Sequence, residues 1–150
     1  MALMKCEGLD SLIKKLDSLS TLEKGEVEET MLISGSQDVK KAWIHQIDVR
    51  GLKRSGLMKA NITSGKPKTN IYGMFTTIYP QGYEYDKKTG KKRVRNAEKA
   101  FYLHYGFYNH VTDSIYRNAI GWVDAVNDEA FRTATATMNK IFENYIKSKG

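Results

Sequence analysis

Arg54-Ser55-Gly56-Leu57-Met58-Lys59-Ala60-Asn61-Ile62 is the stretch at which the chain changes texture, from a helix-like run to a β-rich one. A small hydroxyl residue and a glycine, followed by an apolar residue, a base and an alternating apolar pair, mark a turn that enters a strand. Leu57 to Thr63 therefore reads as a first strand. Ile71 to Tyr79 reads as a second, with Gln81 to Tyr85 extending it beyond the kink at Pro80. Lys87-Lys88-Thr89-Gly90-Lys91-Lys92 is a charged turn in which Gly90 is free to take positive φ. Arg93 to Tyr105 then returns as strand or extended chain, and Ala97-Glu98-Lys99-Ala100-Phe101-Tyr102-Leu103-His104-Tyr105-Gly106 looks like an aromatic strand stopped by glycine. The expectation over residues 57–105 is an antiparallel meander of three to four strands.

On the N-terminal side the pattern is helical. Leu9, Leu12, Ile13, Leu16 and Leu19 recur at helical spacing with Lys14, Lys15 and Asp17 between them, which predicts a short amphipathic helix. Thr21 is placed to cap a second helix running toward Ile47, and Glu23 and Glu26 favour its start. Val27, Met31, Val39, Ala42, Trp43 and Ile47 are its apolar positions, interrupted at Ser34-Gly35-Ser36. A glycine costs about 1 kcal/mol relative to alanine inside a helix, so Gly35 marks either a break or a close approach by a neighbour.

Beyond Gly106 an aromatic segment leads to Asp113, read as the cap of a short turn through Arg117. From about 124 to 147 the spacing of Ala130, Phe131, Ala134, Met138, Ile141, Phe142 and Tyr145 is helical. Helices, then strands, then a helix make one α+β domain over residues 1–150. Helices at 9–47 and a long C-terminal helix would pack the meander.

Composition is compatible with this arrangement. With 41% apolar residues in 150, the chain is long enough to bury about two-thirds of its unfolded surface. Cys6 is the single cysteine, so no internal disulfide forms, and a reducing compartment suits the chain. No apolar run nears the roughly 20 residues of a membrane span, and Met1 to Leu9 lacks a signal-peptide stretch. The expectation is a soluble protein made inside the cell.

The net charge of +7 is uneven. Residues 1–38 carry four bases and eight acids, residues 39–75 eight bases and one acid, and residues 76–100 seven bases and three acids. An acidic start and a basic middle attract each other within a molecule or between neighbours, and also suit nucleic acid or an acidic protein surface.

Motifs of chemistry are missing from the sequence. Gly51 to Gly56 has phosphate-loop spacing, but Leu57 and Met58 stand where Lys and Ser or Thr are needed. There is no Gly-x-Ser-x-Gly elbow. His45, His104 and His110 lack the pairings that mark metal sites, and Glu28-Glu29 and Asp128-Glu129 point to different helix azimuths and read as solvated. We therefore expect no catalytic, cofactor or metal site.

The basic hairpin is the feature with a functional option. Lys87, Lys88, Lys91, Lys92, Arg93 and Arg95 crowd one turn flanked by Tyr79, Tyr83 and Tyr85. Such a mix is a solvated turn that blunts a strand edge, an assembly contact, or a surface for phosphates and bases. Phe101, Tyr102, Tyr105, Phe107, Tyr108 and Tyr116 are dense. Most belong in a core, with a surplus on one sheet face to serve a protein interface.

The order of these segments resembles the tail-completion (head-tail joining, or neck) family of long-tailed bacteriophages and prophages. Gly8-Leu9-Asp10 through Leu16 matches its amphipathic start. Ser55, Gly56, Leu57, Met58, Lys59, Ala60, Asn61 and Ile62 match its turn, with Asn61 where Ser is common. Leu103-His104-Tyr105-Gly106 matches its aromatic-glycine strand end, with His104 in place of an acidic residue and Phe107 in place of the usual Thr. Trp122 to Ala130 matches the entry to its last helix, without the usual prolines. The resemblance implies a non-enzymatic virion protein at the head-tail junction, made in the bacterial cytoplasm. It would form a ring of its own copies, commonly six-fold, between the head connector and the tail terminator or tail tube. The basic hairpin would meet acidic partner surfaces or DNA in the channel. The alternative reading from the same hairpin is a sequence-nonspecific nucleic-acid-binding protein.

Overall fold

Gly35, Ser36, Val39, Ala42, Trp43 and Ile47 fall on one stripe at three- and four-residue spacing, and Trp122, Val126, Ala130 and Ala134 repeat every four. Each stripe must find a partner, and each finds the other. The computed structural model describes residues 21–52, 55–109, 111–117 and 119–149. In it α1 (Thr21–Val49) and α4 (Trp122–Lys149) pack along each other as an antiparallel helical hairpin. At 1.5 Å per residue the pair is about 42 Å long. The helix expected over Leu9–Leu19 lies outside the described residues, and Thr21, expected to cap the second helix, is instead the first residue of α1.

The chain is α+β, with a long helix before the strands and another after them. α1 runs unbroken through Ser34-Gly35-Ser36, so of the two readings of Gly35 the close approach holds. Gly35 is buried, and a Cβ added there would lie 2.3 Å from the terminal methyl of Met138 on α4. Alongside, the Thr137 hydroxyl donates to the Asp38 carboxylate, and at the far end Lys149 Nζ donates to Glu23 at 2.9 Å.

At the other end sits the core. The Trp43 and Trp122 rings meet edge to face at 5.1 Å, and Ile47, Ile62, Val126, Met58 and Ala100 close around them. Trp122 Nε1 donates to the Ala100 carbonyl at 3.2 Å, giving the buried indole its partner.

The segment between the two long helices departs from the expected layout. Leu57–Ala60 is not strand but a single helical turn, α2. Gly56 enters it at φ 71, and both the backbone and the side-chain amide of Asn61 donate to the Leu57 carbonyl and close it. Strand β1 (Ile62–Ser64) follows and pairs with β4 (Ile78–Pro80), Ile62 opposite Pro80. Between them β2 (Lys68–Asn70) pairs with β3 (Gly73–Phe75). Thr77 O accepts from the Gly65 amide, and the Thr76 hydroxyl donates to the Gly65 carbonyl across the gap between the two ladders. Residues 62–80 thus form one long two-stranded ribbon with Ile71 and Tyr72 at its tip.

Two further hairpins follow. β5 (Tyr83–Tyr85) pairs with β6 (Lys92–Arg95), and β7 (Phe107–Asn109) pairs with β8 (Ser114–Arg117). The strands are antiparallel as expected, but they make four two-stranded ladders rather than one meander. The Asp113 expectation is also corrected. Asp113 is the turn residue of the last hairpin, at φ 49, a conformation Asp tolerates, and Ser114–Arg117 is strand.

The largest correction concerns Asn96–Tyr105, expected as strand and found as helix α3. Ala97, Glu98, Lys99, Ala100 and Leu103 are strong helix formers. The inward positions Asn96, Ala100, Leu103 and His104 recur at helical spacing. Asn96 is fully buried, and its side-chain amide donates to the Gln81 carbonyl at 2.7 Å while its backbone amide donates to Gly82. Gly106, at φ 83, ends the helix with its amide on the Tyr102 carbonyl.

Candidate interaction surfaces

Helix α3 decides where the aromatic surplus goes. With Ala100 turned to the core, Phe101, Tyr102 and Tyr105 are carried on the outer side, and all three are exposed. The expectation that most of the dense aromatics are core is therefore overturned: Phe107 and Tyr108 on β7 are exposed as well. A strand would have alternated these rings across two faces, whereas a helix gathers residues three and four apart onto one. Phe101 lies 4.7 Å from Tyr105 and 6.2 Å from Tyr102, and Tyr102 lies 5.4 Å from Phe107, so the rings form one contiguous patch. Tyr105 and Gly106 belong to this patch and its boundary.

Beside it lies an open cleft of about 340 Å³ between α3, β4 and the start of α4, floored by Trp43, Pro80 and Val123 and edged by Phe101, His104 and Asp124. His104 Nδ1 accepts the Val123 amide proton at 3.2 Å. With Nδ1 engaged as acceptor, the neutral ring carries its proton on Nε2, the remaining donor of the ring. The cleft is thus apolar in its floor, with polar groups contributed by His104, Asn127, Tyr79 and Tyr105 and a carboxylate from Asp124.

The basic hairpin is built by Asp86. Its carboxylate accepts from the amides of Lys88 at 2.8 Å and Thr89 at 3.0 Å, and its carbonyl accepts from Gly90, which sits at φ 65. Those backbone hydrogen bonds, with the Arg93 charge, hold the Asp86 carboxyl below its ordinary value. The six expected cations separate into two groups. Lys92 Nζ lies 4.7 Å from the Tyr83 ring centroid, Arg95 stacks on the same ring and donates Nε to its hydroxyl at 3.0 Å, and Arg93 pairs with Asp86 at 3.8 Å. Lys87, Lys88 and Lys91 stand exposed at the tip. Tyr83, expected to stack on bases, is occupied by the hairpin's own cations. Lys99 pairs with Glu84 and ties the hairpin to α3.

The other expected residues serve the fold. Met58 is buried in the core, Gly56 makes the left-handed entry to α2, and Ser55 is exposed beside it. Lys59, on the same turn, clamps both oxygens of Asp48 at 2.8 Å and fixes α2 against the end of α1. His45 pairs with Glu129 at 2.9 Å, and Gln46 donates to the same carboxylate at 2.9 Å. Burial pushes the Glu129 carboxyl up, but the bonds from Gln46 and His45 with the His45 charge outweigh it and hold it below 4.5. So Glu129, expected to be solvated, bridges the long helices, while Glu28, Glu29 and Asp128 are exposed. His110 lies outside the described residues.

Among the described residues no helix is long and apolar enough to cross a membrane, and no three His, Cys, Asp or Glu side chains converge as a metal site. The ribbon tip is the feature that sequence reasoning passed over. Ile71 and Tyr72 are each 90% exposed. Two apolar residues between Asn70 and Gly73 were the available signal. Comparison with protein-family models, with curated proteins and with solved structures finds no match for this chain.

Proposed function

We propose that this protein is a non-enzymatic assembly component that joins tail to head in a long-tailed bacteriophage or prophage, working as a ring of its own copies. The observation that carries the reading is the exposed aromatic patch of Phe101, Tyr102 and Tyr105 on a helix braced against the Trp43–Trp122 core. Aromatic side chains bury a large area at low entropic cost, and a rigid backing lets them meet a partner without first being ordered. The segment order resembling the tail-completion family supplies the particular role. Repeated modest contacts around a closed ring add through effective concentration, so no one residue need dominate.

Lys87, Lys88 and Lys91 at the hairpin tip would meet the acidic surface of a head or tail partner. The competing reading, sequence-nonspecific nucleic-acid binding, uses the same three lysines. It loses part of its stacking platform because Tyr83 is covered by Lys92 and Arg95.

Electron microscopy of particles released by a producing host lacking the gene tests the role. Separate full heads and complete free tails are expected, and intact joined virions would reject it. Salt-titrated DNA binding tests the competitor. A nucleic-acid role requires steep salt dependence and a slope that falls by about one for each lysine neutralised.

A further inference from the structure

The molecule carries both an apolar projection and an apolar cleft, at different places on its surface. The projection is the Ile71–Tyr72 tip of the 62–80 ribbon, held out by two ladders and fixed locally by the Tyr72 amide donating to Asn70 Oδ1 at 2.8 Å. A β-turn usually offers polar residues and glycine to solvent, yet here an adjacent isoleucine and tyrosine are both 90% exposed and are not buried against any of the described residues. The cleft is the one between α3 and α4, with Phe101 and Tyr105 beside it at 58% and 64% exposure.

We infer that the Ile71–Tyr72 tip of one copy seats in the α3–α4 cleft of the next. The inference rests on the reading that the protein works as a ring of its own copies, and it names the surfaces that would meet.

Three features select a second copy as the occupant. The first is charge. The ribbon carries exposed Lys66 and Lys68 behind the tip, and the cleft is edged by the exposed carboxylate of Asp124. The second is chemistry. A cleft with an apolar floor and polar groups such as His104 and Asn127 in its lining suits a side chain with an apolar body and a polar end, and the Tyr72 ring and hydroxyl are such a pair. The third is symmetry. Tip and cleft are different patches and each copy offers one of each, so unless two copies exchange tips reciprocally the contact repeats head-to-tail into a ring or a filament. A ribbon tip buries less than the roughly 800 Å² per partner of a standard interface, so single contacts are weak and a closed ring gains most from them.

Cysteine cross-linking tests the geometry. In a Cys6→Ser background, Ile71→Cys and Asn127→Cys are purified separately, mixed and oxidised mildly, and the disulfide is located by mass spectrometry. A 71–127 bond between copies is expected, as is at least about a thirtyfold weakening of self-association by Tyr72→Ser, the size of an interface hot spot. Light scattering on the unmodified chain separates the ways to fail. If copies associate but no 71–127 bond forms, or Tyr72→Ser leaves association unchanged, the inference falls and the ring stands. A chain that stays monomeric to its solubility limit removes the inference, and the joining role is then judged on particle morphology alone.

Discussion

The Trp43–Trp122 end of the molecule and the 62–80 ribbon use the same residue types to opposite effect. At the first, the indole rings and the aliphatic side chains of Ile47, Ile62 and Val126 are buried against one another. At the second, Ile71 and Tyr72 are held in water by a ladder that buries almost nothing: β2 is exposed throughout, and β3 is half-buried only at Met74. Stability is concentrated at one place, and apolar surface available to a partner is concentrated at another. Truncation should therefore cost folding at the core and association at the tip.

The largest expected effect breaks the core side of this contrast. Trp122→Ala removes a fully buried ring, its edge-to-face partner and its hydrogen bond to Ala100, and at the start of α4 little can collapse into the space. A loss of about 3–5 kcal/mol is expected, read by denaturant titration. Tyr72→Ser should leave the same midpoint nearly unmoved, and comparable losses from the two would erase the distinction.

The distal half of the helical hairpin is held differently, through the absence of a side chain. Gly35→Leu should cost about 1–3 kcal/mol, because Met138 already fills the space above Gly35. Gly35→Ala should be close to neutral. The atom nearest the new Cβ is the mobile end of Met138, and the gain in helix propensity of about 1 kcal/mol offsets its displacement. A large loss on Gly35→Ala would show that Met138 cannot move aside.

How much of this was legible in the sequence depended on which signal was redundant. The long helices repeat their apolar spacing over many turns, so α4 lies within two residues of its expected ends, and for α1 the spacing left open whether Gly35 broke it. α3 was missed because Phe101, Tyr102 and Tyr105 favour strands on their own, while the helical signal lay in Ala97, Ala100 and Leu103, whose burial depends on Trp122. The turn chemistry at Gly90 was readable, since Asp86 and Gly90 fix it locally. What each cation of the hairpin does was not, because it depends on Tyr83 and Asp86 across the strand pair. The ribbon's break into two ladders arises at Gly65 and Thr76, where no residue type announces it.

A smaller effect concerns the polar contact between the long helices. The Glu129 carboxyl titrates lower in the folded chain than in the unfolded one, so its contribution is fully present above pH 4.5. It is lost as pH falls through the folded value. Because the pair is partly solvated, the contribution is expected to stay below about 1 kcal/mol. Glu129→Gln should therefore lower stability slightly at pH 6 and flatten its decline as pH falls below 4.5. An unchanged acid profile would mean that other carboxylates carry the acid sensitivity.

The smallest expected effect is at the basic hairpin. Lys87, Lys88 and Lys91 are exposed, whereas the turn beneath them is held by Asp86 and Gly90. Replacing all three lysines with alanine should keep stability within about 0.5 kcal/mol of the parent, since surface substitutions away from caps and buried pairs cost little. Lys92→Ala differs from these by removing a cation from the Tyr83 ring, so it should show a small loss that the triple variant does not. Denaturant midpoints of the two variants, measured with the salt dependence of partner or DNA binding, separate the lysines that hold the hairpin from those offered outward. If the triple variant unfolded as easily as Trp122→Ala, the hairpin tip would be part of the stable body of the molecule, and its lysines would no longer be candidates for contact.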